Sequence, residues 1–172
     1  QIRHLEQRER LDSQAVQEAL LNRDESIPGV TLASFYHAAD QIGGDWYGYF
    51  YDPIRERVFV FVADVTGHGA ASALLTGAIS GAIGSRFFEP EGLPQDTMAT
   101  LRELAAEVNN LVLQSSDIAK QFLTMSFVGV ERQTGKAYYL NAGHPFMLHA
   151  SGESARVQVA PGDPLGCLLY TS

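Results

Sequence analysis

The sequence predicts an α+β domain in which antiparallel β-sheets carry helices packed on their outside. Three observations predict it. Runs of β-branched and aromatic residues fall into two blocks, one between residues 31 and 63 and one after Gln114. The stretch between them has helical periodicity, and neighbouring runs are joined by short polar turns rather than by crossover helices. The chain of 172 residues is long enough to bury one core, and 45% hydrophobic with 19% charged residues is a globular rather than a disordered composition.

Residues 1–23 hold no Gly or Pro and place Ile2, Leu5, Val16, Ala19 and Leu20 on a helical pattern. A heptad continued from Ile2 and Leu5 puts Glu9 and Asp12 at core positions, which argues against a long coiled coil. The segment reads either as an amphipathic helix docked on the domain or as a signalling linker from an upstream domain. Pro28-Gly29 ends it, and strands follow over Thr31–Ala38, Trp46–Tyr51 and Arg57–Ala63, the last two joined by the turn Asp52-Pro53-Ile54-Arg55. Val58 to Val62 is apolar throughout and predicts a central strand buried on both faces.

Residues 69–86 read as a helix rich in Ala, Gly and Ser, whose Gly77, Gly81 and Gly84 suit close approach to a neighbouring backbone. After Pro90, Gly92 and Pro94, Asp96 is placed to cap a second helix with Met98, Leu101, Leu104, Ala105, Val108 and Leu111 at three-to-four spacing. Strands return over Phe122–Val130, Lys136–Leu140, Phe146–Ala150 and Ala155–Val159, with turns at Gln133-Thr134-Gly135 and Ser151-Gly152.

Charge narrows the function. Twelve Lys and Arg against 20 Asp and Glu give a net −8, and the cations are ten Arg and two Lys, scattered along the chain. Such a surface is a poor partner for nucleic acid or anionic lipid. The least polar stretch, Ala70 to Ile83, is too short and too interrupted to span a bilayer. The chain opens on Gln1 rather than Met and reads as a segment of a longer protein. Its one cysteine, Cys167, cannot form an internal disulfide, which fits a reducing, cytoplasmic setting.

Two glycine-flanked carboxylates stand out: Asp45 in Gly43-Gly44-Asp45-Trp46-Tyr47, and Asp64 in Ala63-Asp64-Val65-Thr66-Gly67-His68-Gly69. No Lys or Arg lies between Gln41 and Asp52, or between Val58 and Arg86, to neutralise either one locally. A carboxylate ending so apolar a strand needs a partner, and a hard divalent cation such as Mg²⁺ or Mn²⁺ suits it. The plainer reading stands beside this one: Gly-Gly-Asp is a turn, and Asp64 caps the helix that follows. His68, between two glycines, reads either as a metal ligand or general acid or as a structural, supporting residue, the plainer reading because no Cys or His companion sits at zinc-ligand spacing; His144 has the same ambiguity and could simply hydrogen-bond its loop. There is no Gly-x-Ser-x-Gly elbow, no phosphate-binding P-loop, and no basic neighbour to activate Cys167.

The words Gly43-Gly44-Asp45-Trp46-Tyr47, Ala63 to Gly69, Phe122-Leu123-Thr124-Met125, Asn141-Ala142-Gly143-His144-Pro145 and Pro164-Leu165-Gly166 occur in an order and spacing of their own. Over residues 12–166 they resemble the bacterial stage-II-sporulation-E-like and sigma-factor-regulator branch of the metal-dependent PP2C-type serine/threonine phosphatases. The resemblance implies a four-layer αββα sandwich of two mostly antiparallel sheets flanked by helices. It implies two Mn²⁺ or Mg²⁺ ions that activate a water against phosphoserine or phosphothreonine. Asp64 would bridge the metals, the Val65 carbonyl would complete one coordination sphere, and Asp45 would bind a metal directly or through water. The implied partners are a phosphorylated regulatory protein, such as an anti-sigma-factor antagonist, and an upstream sensor domain; monomer and homodimer both stay open.

The sequence also departs from that family. The Thr-Asp-Gly word and the late aspartate that would supply two more ligands are absent, and after Asn141 the only carboxylates are Glu153 and Asp163. The ending Cys167-Leu168-Leu169-Tyr170-Thr171-Ser172 is what a common transposon-type sequencing adapter encodes in one frame, so it reads as non-native. The expected organisation is a linker or signalling helix over 1–25, a truncated phosphatase domain over 26–166 and a foreign tail over 167–172. Two other readings remain, a catalytically inactive pseudophosphatase that binds a protein, and a ligand sensor using the cleft at 43–69 without metal.

Overall fold

In the computed structural model, the structure describes residue 27 and residues 29–36, 44–67, 69–119 and 121–167. The expected helix of residues 1–23, His68 and residues 168–172 lie outside the described residues. The elements run β1 (Asp45–Asp52), β2 (Arg57–Val65), α1 (Ala70–Phe88), α2 (Thr97–Ala119), β3 (Leu123–Glu131), β4 (Ala137–Ala142), β5 (Met147–Ser151) and β6 (Ser154–Gln158), with a single 3₁₀ turn at Pro90–Gly92. Strands β1 to β4 form one antiparallel sheet in sequence order, and β5 and β6 form a second, two-stranded sheet. The fold class is α+β with antiparallel sheets and helices, as the sequence predicts.

Alternation of side chains along paired strands divides the large sheet into two faces. Trp46, Gly48 and Phe50 pair with Ala63, Phe61 and Phe59, and these with Met125, Phe127 and Gly129. This face carries the core, closed by Leu75, Ile79 and Ile83 of α1 and by Leu101, Leu104, Val108 and Val112 of α2. The three-to-four spacing read in α2 is therefore its buried stripe, and Asp96 caps it by accepting the Ala99 N–H at 2.7 Å. Gly129 permits the packing of α2 on β3: a methyl there would lie 2.7 Å from the Thr97 Cγ2.

A buried ion pair fastens the far end of the sheet. Asp52 and Arg57, 0% and 2% exposed, meet across the β1–β2 turn, with Arg57 Nε donating to Asp52 Oδ2 at 3.0 Å. Asp52 Oδ1 also accepts the Ile54 and Arg55 N–H groups at 3.1 and 3.2 Å, which closes the predicted turn. Arg57 reaches on to the Pro94 carbonyl at 3.0 Å, tying the hairpin to the approach of α2.

Three expectations are corrected. The run Thr31–Ala38 is not a strand over its described part, residues 31–36; its alternation finds no ladder there, and Ser34 Oγ instead donates to the Tyr47 hydroxyl at 2.9 Å. Strand β2 is central but not buried on both faces: on the side away from the helices, Val58 is buried beside Ile27 and Tyr49, whereas Val62 is 42% exposed and Asp64 is exposed. Two glycines of α1 do not serve close backbone approach, since a methyl at Gly81 would meet nothing within 4 Å and one at Gly84 would only touch the Phe50 ring at 3.5 Å.

Candidate metal-binding corner and its family

The sheet register places the two singled-out carboxylates side by side. Asp45, the first residue of β1, pairs with Asp64 near the end of β2, and Asp64 pairs with Thr124 near the start of β3. Paired residues share a face, so the three side chains form a row on the side of the sheet away from the helices. Asp45 and Asp64 lie within hydrogen-bonding reach of each other. Partial burial first, and then the neighbouring Asp64 charge, hold the Asp45 carboxyl above its ordinary pKa, with His144 opposing the shift. Asp64 forms no ion pair among the described residues.

Backbone geometry adds a third oxygen. Val65 N–H donates to the Gly44 carbonyl at 3.1 Å, and the Val65 carbonyl lies directly against Gly44 Cα, where any Cβ would collide with it. The neighbouring Thr66 N–H, part of the same planar peptide unit, donates to the Phe122 carbonyl at 2.9 Å. That bond sets the peptide plane and leaves the Val65 oxygen on the opposite side, at the Asp45 corner.

The Asn141–Pro145 word folds back onto the row. Asn141 Oδ1 accepts the His144 N–H and Asn141 Nδ2 donates to the His144 carbonyl, both at 2.9 Å, while Gly143 takes a φ of +72°. His144 Nδ1 then meets Thr124 Oγ1 at 2.9 Å. Desolvation lowers the His144 pKa, against the raising pull of Asp64 and Asp45. His144 thus does hydrogen-bond within its loop, as the sequence suggests, and it also reaches the carboxylate row through Thr124. Cys167 is exposed and free.

Two carboxylates and a carbonyl at one corner fit a hard cation as part of a donor set. Among the described residues no group of three or more His, Cys, Asp or Glu side chains gathers as a metal site. The sequence reading gave no role to Thr124, though it lies in the word Phe122-Leu123-Thr124-Met125, or to Gln121, which no local pattern marks; both act across the fold.

With this fold and corner in view, residues 55–170 match the family of stage II sporulation protein E (SpoIIE), and the chain belongs to that family, a SpoIIE-like branch of the PP2C-type phosphatases. Among its relatives is the phosphoserine phosphatase RsbP of Bacillus subtilis (strain 168), 27% identical over 143 residues, which cover 83% of this chain and 33% of RsbP. Among solved structures, that of the RsbU and RsbW domains of Rv1364c from Mycobacterium tuberculosis matches with a TM-score of 0.55 at 27% identity, over 79% of this chain and 35% of that one. The chain thus spans about a third of the length of each. No helix among the described residues is long and apolar enough to cross a membrane.

Proposed function

We propose that this chain is the phosphatase domain of a regulatory protein and removes phosphate from a phosphoserine or phosphothreonine of a partner protein, such as an anti-sigma-factor antagonist. The observation that carries the reading is the register that sets Asp45 opposite Asp64, with the Val65 carbonyl beside them. Two like charges held together favour a shared cation, and the raised proton affinity of Asp45 expresses the same crowding. Asp64, the Val65 carbonyl and Asp45, the last directly or through water, would hold the metal. Mn²⁺ or Mg²⁺ bound there would supply charge neutralisation at the phosphoryl group and a water of lowered pKa. Among the chain's own residues, Thr124 and Asn141 hold His144 over the row, and the Gly44 contact keeps the Val65 carbonyl aimed at it.

The wider reading includes residues 1–25 as a signalling helix from an upstream sensor, 26–166 as the catalytic domain, 167–172 as a foreign tail and a cytoplasmic setting. The rival reading is a protein-binding pseudophosphatase without turnover. Asp64→Asn in the full-length natural protein that carries this domain decides between them. The change keeps shape but removes the charge, so Mn²⁺ affinity by calorimetry and turnover of a phosphoserine peptide should fall by about two orders of magnitude or more, with the metal-free melt unchanged or raised. The alternative reading of Asp64 as a helix cap fails, because Gly69 is the N-cap of α1 and no side chain caps it. Wild-type protein that binds the peptide but neither Mn²⁺ nor turns it over would establish the rival.

A further inference from the structure

Just ahead of β3, Gln121 is 9% exposed and donates two side-chain hydrogen bonds from one nitrogen: Nε2 to the Thr66 carbonyl at 3.2 Å and Nε2 to Ser72 Oγ at 3.0 Å. Ser72 is fully buried in the first turn of α1, and its own hydroxyl lies 3.5 Å from the same Thr66 carbonyl. Thr66 is held on its other polar atoms by the entry to β3: its N–H and its Oγ1 both donate to the Phe122 carbonyl at 2.9 Å, and Oγ1 accepts the Phe122 N–H at 3.1 Å. Helix α1 starts after Gly69 with no side-chain cap, so no capping side chain fixes its first turn.

These contacts divide the loop after Asp64 into two rigid peptide units. The first, between Val65 and Thr66, is aimed by Phe122. The second, between Thr66 and Gly67, is held at its carbonyl by Gln121 and precedes a glycine with φ of +92°. Rotation about Thr66 connects the units, so freeing the second loosens the first and with it the Val65 oxygen. We propose that Gln121 is a positioning residue that sets cation affinity at the Asp45, Asp64 and Val65 corner, by latching the Thr66 carbonyl and Ser72 together. The inference rests on the functional reading above. Gln121 touches neither substrate nor cation; it acts through the backbone that presents Val65, in the manner of groups that orient metal ligands from outside.

The test uses the full-length protein, with Mn²⁺ as the probe and calorimetric affinity as the primary readout. Gln121→Met keeps length and apolar bulk and removes both donated bonds. Its Mn²⁺ affinity should fall by about 10- to 100-fold, the range that loss of such supporting groups costs. Turnover of a phosphoserine peptide should fall with it at low Mn²⁺ and recover as Mn²⁺ is raised, because Asp45 and Asp64 themselves are intact. Ser72→Ala removes one arm of the latch and should lower affinity in the same direction by a smaller, severalfold amount; it decides the matter should Gln121→Met fail to fold. Wild-type affinity in Ser72→Ala, together with wild-type affinity or failure to fold in Gln121→Met, overturns the inference while leaving the phosphatase reading standing. Absence of Mn²⁺ binding by the wild-type protein overturns both.

Discussion

Replacing Gly44 by Ala tests the corner at its tightest point. The added methyl would collide with the Val65 carbonyl oxygen and lie 2.9 Å from both Val65 C and Cβ. Ordinary carbon contacts sit near ~3.5 Å or beyond, so the start of β1 and the end of β2 must separate by roughly 0.6 Å or more. Backbone on both sides of the contact, joined by the Val65 N–H to Gly44 carbonyl bond at 3.1 Å, leaves no flexible side chain to yield. Overpacking of this kind costs about 1–3 kcal/mol, which for a domain of this size lowers the melting temperature by roughly 2–12 °C. The same displacement moves Asp45 and the Val65 carbonyl relative to each other, and a shift approaching an ångström at a reacting centre costs on the order of 10²-fold in rate. Gly81→Ala is the matched control: a methyl there meets nothing, and the helix gains about 0.5–1 kcal/mol from the better helix former. The metal-free melt, Mn²⁺ affinity and peptide turnover should therefore all fall in Gly44→Ala, whereas Gly81→Ala should melt at or above wild type with Mn²⁺ affinity and turnover unchanged. Gly44→Ala protein that melts as high as wild type and binds Mn²⁺ as tightly would refute the steric argument and the placement of the Val65 carbonyl.

Two further outcomes follow from charge. Arg57→Met leaves the fully buried Asp52 without its partner, a loss of about 3–5 kcal/mol, and the melt should drop by roughly 6–20 °C with part recovered in the double variant Asp52→Asn with Arg57→Met. An equal melt in Arg57→Met would show that Arg55 and the turn N–H groups alone sustain Asp52. The raised pKa of Asp45 means that the folded chain favours its protonated form, so its contribution to stability is present below the ordinary carboxylate value and is lost as pH rises through the raised one. Without metal, Asp45→Asn should accordingly melt at or above wild type near neutral pH, with the difference closing at acid pH; a variant less stable at neutral pH would contradict the crowding of Asp45 by burial and Asp64.

The sequence by itself determined the elements whose physics is local. Continuous β-branched and aromatic residues from Val58 to Val62 specify a strand, the Asp52 to Arg55 turn specifies its hairpin, and the spacing from Met98 to Leu111 behind the Asp96 cap specifies a helix. The absence of a nearby cation around Asp45 and Asp64 was legible too, although both carboxylates prove exposed rather than buried. Local pattern misled at Thr31–Ala38, because alternation shows only that a strand could be half buried and says nothing of whether a ladder is waiting for it. Gly81 and Gly84 in α1 looked like contact points and are not, whereas Gly44, inconspicuous in a turn, is where two backbones touch. Tertiary structure alone decided that Asp45, Asp64 and Thr124 share one face, that His144 returns to Thr124, and that Gln121 latches Thr66 from 55 residues away. The reason is register: with a side-chain period of two, a slip of one residue in either pairing would turn a member of the row to the other face of the sheet, and pairing is set by the packed core rather than by the residues that form the site.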